Sequence, residues 1–212
     1  MYRRNEKGEV CGVLTDFDLS SWTADLAKDY TRTSQQRTGT PPYMACGLLD
    51  GLDPSHLYRH DAESMFYIMV MLASRYEIRA PKGGGGGVQI LQDPGELPFD
   101  DWFDKPSYKQ LADSKRGFLT QARGDLELSP TFEDFRDWLR AIRVSFRKGV
   151  IAQQTHGDLV DERMHEKKRR RKAMPQFDEE TLGGHVYYST LVDPAPKLKG
   201  KLKGLVVRYE SK

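Results

Sequence analysis

One stretch limits the fold of this chain more than any other. From Asp61 to Tyr76, the side chains of Met65, Phe66, Ile68, Met69, Leu72 and Tyr76 place apolar surface nearly all round a helix. A helix with so little polar face cannot lie on a surface. It needs other elements packed on most of its sides. Asp61 suits its N-cap, with Glu63 and Ser64 in the first turn. The spacing therefore predicts a mainly α domain assembled around 61–76.

The remaining pattern supplies material for that packing. Phe132, Phe135, Trp138, Leu139, Ile142 and Phe146 recur at helical spacing, which predicts an amphipathic helix over 131–148 with Thr131 and Asp134 as a capping pair. Residues 100–103 and 107–121 predict two shorter helical pieces. Residues 1–4, the polar turn 5–8 and the run 10–15 read as strand, turn and strand, which predicts a β-hairpin. Pro41-Pro42 argues against regular structure at that point, because both prolines lack a donor. The glycine run 83–87 lacks the Gly-Lys-Ser/Thr of a phosphate loop. It reads as a flexible connection, over 82–88, between the buried helix and a second helical block.

The chain has 212 residues, 38% of them apolar and 30% charged, with a mean hydropathy of -0.68. That is polar for a compact globule and implies a packed part with considerable loop or tail. The division expected is a core over 1–152 and a charged, partly disordered extension over 153–212. Within the extension, residues 185–191 suit a short helix. The net charge of +2 selects no partner in bulk. Lys167 to Lys172 is a run of six basic residues, which suits a nuclear import receptor or a solvated face. No aromatics are interleaved, so specific nucleic-acid binding is not indicated. Cys11 and Cys46 have no metal-ligand spacing and suit a reducing compartment. The longest apolar stretch, 65–73, is about half a membrane span. These features predict an intracellular protein, cytoplasmic or nuclear.

Two constellations carry chemistry. The apolar run 10–14 delivers Asp16 to a strand end, and Asp16-Phe17-Asp18 follows. A carboxylate held there suits Mg²⁺ against the β- and γ-phosphates of a nucleotide. Asp18 could supply a second carboxylate, and a plain loop carboxylate capping the turn is the other reading. Downstream, Thr38-Gly39-Thr40-Pro41-Pro42-Tyr43-Met44-Ala45 is a rigid segment, and His60-Asp61-Ala62-Glu63-Ser64 opens the apolar helix.

In this order the chain resembles the activation segment of a protein kinase, and in detail the fungal-type protein kinase family. The family is similar at Asp16 to Ser21, at Arg37 to Ala45, at His60 to Ser64 and at Phe177 to His185. The resemblance implies the C-terminal lobe of a kinase with one N-terminal β-hairpin, the N-lobe being absent. It implies ATP and Mg²⁺ as cofactors, with Asp16 on both and Asp18 a possible further metal ligand. Thr40 would belong to the substrate floor and bond to a catalytic Asp. Asp61 would anchor the catalytic loop. Cys46-Gly47 stands where the Ser/Thr kinase pattern has Pro-Glu, so the ion pair made by that Glu is absent or replaced. The 212 residues contain no Gly-rich loop, no Val-Ala-Ile-Lys strand and no His-Arg-Asp loop. The chain therefore reads as a Ser/Thr-type kinase lobe beginning after its catalytic loop and inactive by itself. A non-catalytic, pseudokinase-like interaction module is the alternative. A D-x-D transferase of another fold lacks the βαβ region it would need.

Overall fold

A computed structural model describes residues 2–4, 6, 10–12, 39–51, 56–79, 87–90, 97–104, 107–121, 125–165 and 176–194. The chain divides into two compact units, 1–37 and 38–212. In the first, β1 (Tyr2–Arg4) and β2 (Val10–Gly12) pair antiparallel, with Arg3 opposite Cys11. This is the hairpin expected from the strand, polar turn, strand pattern. Residues 24–28, whose sequence suits one short helical turn within a polar loop over 20–37, lie outside the described residues.

The second unit is built around α2 (Tyr58–Arg75). Phe66, Tyr67, Val70 and Met71 are buried in its middle. The helix starts three residues earlier than the sequence suggests. Leu57 is the N-cap, and its backbone N–H donates to Nδ1 of His60 at 3.0 Å. The imidazole thus accepts from the N–H of the N-cap residue itself, and Asp61, expected at the N-cap, falls at the fourth helical position. The ring nitrogen that accepts must be unprotonated, so the His60 proton sits on Nε2. Met65, Ile68 and Leu72 are exposed, so one face of the helix is open.

α1 (Cys46–Asp50) and α3 (Tyr108–Thr120) pack together beside α2. Ser107 caps α3 with a reciprocal pair of bonds: Gln110 N donates to its hydroxyl and Gln110 Oε1 accepts from its N–H. A 3-10 turn at Asp100–Trp102 places Trp102 edge-on to Tyr67, with ring centres 5.2 Å apart.

The aromatic stripe beginning at Phe132 is not one helix. Pro130–Phe135 forms a 3-10 segment with Ser129, not Thr131, at the N-cap position. Pro130 sits at its start, where no donor is needed. α4 then runs from Arg136 to His165, well past the expected end at Lys148. It crosses residues 152 and 153 without a break. Its first half buries Leu139, Ile142, Phe146 and Val150.

α5 (Tyr188–Val192) returns to α4, where Nε1 of Trp138 donates to the Leu191 carbonyl at 2.7 Å. Leu182 and Val186, in the sequence taken as a charged extension, are core residues. A Cβ on Gly149 would stand 2.6 Å from Cβ of Leu182, so this contact of α4 requires glycine.

β3 (Tyr76–Arg79) follows α2 directly and pairs antiparallel with β4 (Gly87–Ile90), Arg79 lying opposite Gly87. Of the flexible connection expected over 82–88, Gly87 and Val88 belong to β4, and 82–86 lie outside the described residues. Gly87 is a strand residue rather than part of a linker. Tyr76-Glu77-Ile78 and Val88-Gln89-Ile90 both alternate as strands should. The signal is hidden because no turn residue separates β3 from the helix before it.

Candidate functional site

The segment containing Thr40 is built by its own sequence. Gly39 has φ of +139°, and a Cβ there would lie 2.9 Å from Cγ of Met44, so only glycine fits. Thr40 is exposed and extended. Its carbonyl accepts from Tyr43 N at 2.9 Å, and Pro41–Tyr43 closes a 3-10 turn. The two prolines, expected to exclude regular structure, occupy the first two positions of that turn, where their missing donors are not needed. Met44 N then donates to the Pro41 carbonyl at 3.1 Å.

The segment is held from below by buried polar groups. Cys46 N donates to Oε1 of Glu63 at 2.8 Å, and the Tyr67 hydroxyl donates to the same oxygen at 2.6 Å. The Cys46 sulfur lies 3.4 Å from that hydroxyl and donates to the Ala112 carbonyl at 3.7 Å. From α3, Nζ of Lys115 donates to the Met44 carbonyl at 2.5 Å and to the Pro41 carbonyl at 3.3 Å. It stands 4.1 Å from the centre of the Tyr67 ring. Glu63 and Lys115 are both buried. Burial lowers the Lys115 amine to about 8, against the opposing pull of Glu63. Burial raises the Cys46 thiol and the Tyr67 phenol well above their ordinary ranges, with Glu63 adding to both shifts. Asp50, at the end of α1, is paired with Arg116 of α3.

The network surrounds Cys46, the residue that with Gly47 stands where the resemblance would put Pro-Glu. Glu63 is in the His60–Ser64 motif, but its role was not read from it. Lys115 carries one sequence signal, a charged residue at the inward position between Leu111 and Leu119 on a helix of 3.6-residue period.

Asp61 is exposed, its side chain 71% accessible, and its Oδ1 is 2.8 Å from Nε2 of His56. Thr40 and Asp61 belong to the same compact unit, and no hydrogen bond among the described residues joins them. Beside Asp61, the start of α2 receives the late motif. Glu180 Oε1 accepts from Tyr58 N at 2.9 Å, and Glu179 pairs with the buried Arg59 at 3.5 Å. The motif folds on itself first. Asp178 accepts from the N–H groups of Glu180 and Thr181 and from the Thr181 hydroxyl. Gly183 has φ of +67°, with Cε2 of Phe177 2.9 Å from where its Cβ would be. The late motif, Phe177 to His185, thus meets the first turn of α2 at Tyr58 and Arg59, just ahead of His60 to Ser64 and more than a hundred residues away in sequence.

Asp16 and Asp18 lie outside the described residues, as does Lys167 to Lys172. Among the described residues, no group of three or more His, Cys, Asp or Glu side chains could hold a metal ion. The described residues therefore offer Mg²⁺ no clustered donor set. Among the described residues, no helix is long and apolar enough to cross a membrane.

Residues 1–73 match the family model of the fungal protein kinases. The match spans the first hairpin, Asp16 to Ser21, the Thr40 segment and α2 to within two residues of its end. Comparison with curated proteins and with solved structures returns no match.

Proposed function

From the fungal protein kinase family of residues 1–73, we propose that this chain carries part of a Ser/Thr-type protein kinase domain. In that domain, phosphoryl transfer from ATP to a protein hydroxyl uses the Gly39–Cys46 segment as the floor for the substrate peptide. The observation that carries the reading is the bond from Cys46 N to Glu63 Oε1. It ties the Gly-Thr-Pro-Pro-Tyr-Met-Ala segment to the His-Asp-x-Glu-Ser helix, two of the stretches of the family pattern that lie among the described residues. A floor must be rigid to position a substrate, because catalysis of phosphoryl transfer is mostly positioning and charge stabilisation. Two prolines, a 3-10 turn and buried charge on either side supply that rigidity.

In this reading Asp16 holds the metal side of the nucleotide, Asp18 assists, Thr40 meets the catalytic Asp, and Asp61 anchors the catalytic loop. Asp61 suits that task because its carboxylate is accessible and held in place by His56. The 212 residues include no His-Arg-Asp loop to orient a substrate hydroxyl. The purified chain is therefore expected to transfer no phosphate to a generic protein substrate in ATP and Mg²⁺. Phosphorylation by chain free of other kinases, abolished by Asp16→Ala, would overturn that expectation. A stable partner complex formed without nucleotide, together with no ATP–Mg²⁺ binding at micromolar concentration, would favour a pseudokinase-like interaction module instead.

A further inference from the structure

The buried amine of Lys115 is chemically out of place. It lies on the inward stripe of α3, where its neighbours at either turn are Leu111 and Leu119, and all three are fully buried. Its bonds go to two backbone carbonyls of one turn, Pro41 and Met44. Its other close neighbours are the faces of Tyr67 and Trp102, with ring centres at 4.1 and 5.1 Å. Glu63 is the nearby carboxylate, but the bonds drawn to its Oε1 come from Cys46 N and the Tyr67 hydroxyl.

We propose that Lys115 is the positioning residue of the Pro41–Cys46 segment, and that the segment's opening is coupled to proton exchange at this one amine. The amine holds the carbonyl side of the turn while Glu63 holds the amide side. Lys115 can meet water only if the turn lifts. The importance of this to phosphoryl transfer rests on the substrate-floor reading, but the coupling does not.

The groups facing the amine set its direction. From α1 comes the Cys46 thiol. From α2 come the Glu63 carboxylate and the Tyr67 phenol. From the 3-10 turn comes Trp102, whose Nε1 donates to Ser114, which in turn donates to Asp101. On α3 itself Arg116 is taken up by Asp50 and Asp113, and Arg143 of α4 is bonded to the Phe118 carbonyl. Desolvation outweighs the attraction of Glu63, so the docked amine loses its proton near 8, against 10.5 when solvated. The lifted state therefore binds the proton more tightly. Raising the pH from 8 towards 10.5 disfavours lifting, by up to about 10^(10.5 − 8), roughly 300-fold. The segment is loosest at and below neutrality and tightens in mild alkali.

The test is NMR hydrogen exchange on the full chain at the Tyr43 and Met44 amides from pH 7 to 9. Rates are corrected for intrinsic exchange and referenced to the Ser129 amide, which is bonded to the Ala73 carbonyl. The Lys115 Cε resonance is titrated in parallel. The wild-type opening constant should fall about tenfold by pH 9, with the Cε midpoint near 8. Lys115→Arg keeps its charge and should show no such fall. Lys115→Met should lose the protection at every pH. A flat wild-type profile, a Cε midpoint near 10.5, or Lys115→Arg tracking the wild type would each overturn the proposal. If Lys115→Met does not fold, the comparison with Lys115→Arg still decides. Binding of a substrate peptide, measured separately on the same variants, tests the floor reading alone.

Discussion

Replacing Glu63 probes the network that fixes the Thr40 segment. In Glu63→Leu, two buried donors, Cys46 N and the Tyr67 hydroxyl, lose their shared acceptor. Lys115 also loses its nearby countercharge. Each bond to a charged acceptor is worth about 1.5–3 kcal/mol. Removing one partner of a buried polar set commonly costs about 3–5 kcal/mol in total. Leucine returns some apolar burial, which places the expected loss at about 3 kcal/mol or more. Glu63→Gln keeps a carbonyl oxygen where Oε1 stands and loses only the charge, so about 1–2 kcal/mol is expected. The measurement is urea unfolding followed by tryptophan fluorescence. Trp102 sits edge-on to Tyr67 and reports on the network directly. A Leu variant within about 1 kcal/mol of the wild type would refute the argument that these bonds hold the segment. A Gln variant as damaging as Leu would refute the argument that the acceptor geometry, rather than the charge, matters most.

Alkaline stability should be non-monotonic. Between about 8 and 9 the unfolded Lys115 binds more protons than the folded one, so its contribution makes stability rise with pH, with a ceiling of roughly 3 kcal/mol if it continued to 10.5. The thiol of Cys46 and the phenol of Tyr67 are raised in the fold, so they oppose this above their ordinary values of 9.0 and 10.0. A midpoint of urea unfolding that falls steadily from pH 7.5 to 9 would contradict the sign assigned to Lys115. In acid, the hydrogen bond from Thr181 holds Asp178 below its ordinary value of 3.8, so the 178–184 turn should loosen as pH falls through that range. Amide exchange at Gly183 and Gly184 checks this. Gly149→Ala should destabilise by about 1–3 kcal/mol and loosen the late motif, because the added methyl meets Leu182 at 2.6 Å. A thermal midpoint unchanged from the wild type would show that Leu182 can shift freely.

The sequence made the central helix legible because apolar residues run nearly all round it, although Met65, Ile68 and Leu72 turn out to face water. Where that helix begins was not legible, because His60, not the nearby Asp61, satisfies the cap. Periodicity also found the stripe from Phe132 to Phe146. It could not separate the 3-10 segment from α4, since residues three apart share a face in both. Leu182 and Val186 were missed as core because glycines and acidic residues surround them, and only their tertiary partners bury them. At the candidate site, the motif residues were visible and their supports were not. Glu63, Tyr67 and Lys115 come from two helices, and no local pattern links residues 46, 63 and 115.

The junction at Arg75 and Tyr76, where helix becomes strand without a connecting residue, has a consequence for how such a chain can vary. Ser129 ties down both sides of it, its N–H donating to the Ala73 carbonyl and its hydroxyl to that of Tyr76. Beyond it, Arg79 and Gly87 are registered partners, so the seven residues between them join ends already held together. Closing a longer connection between fixed ends costs only the logarithm of its length. Inserting a dozen residues there would cost about 1 kcal/mol. The hairpin tip is thus a place where evolution, or an experimenter with an epitope to graft, could add sequence without disturbing the helix at the centre of the fold.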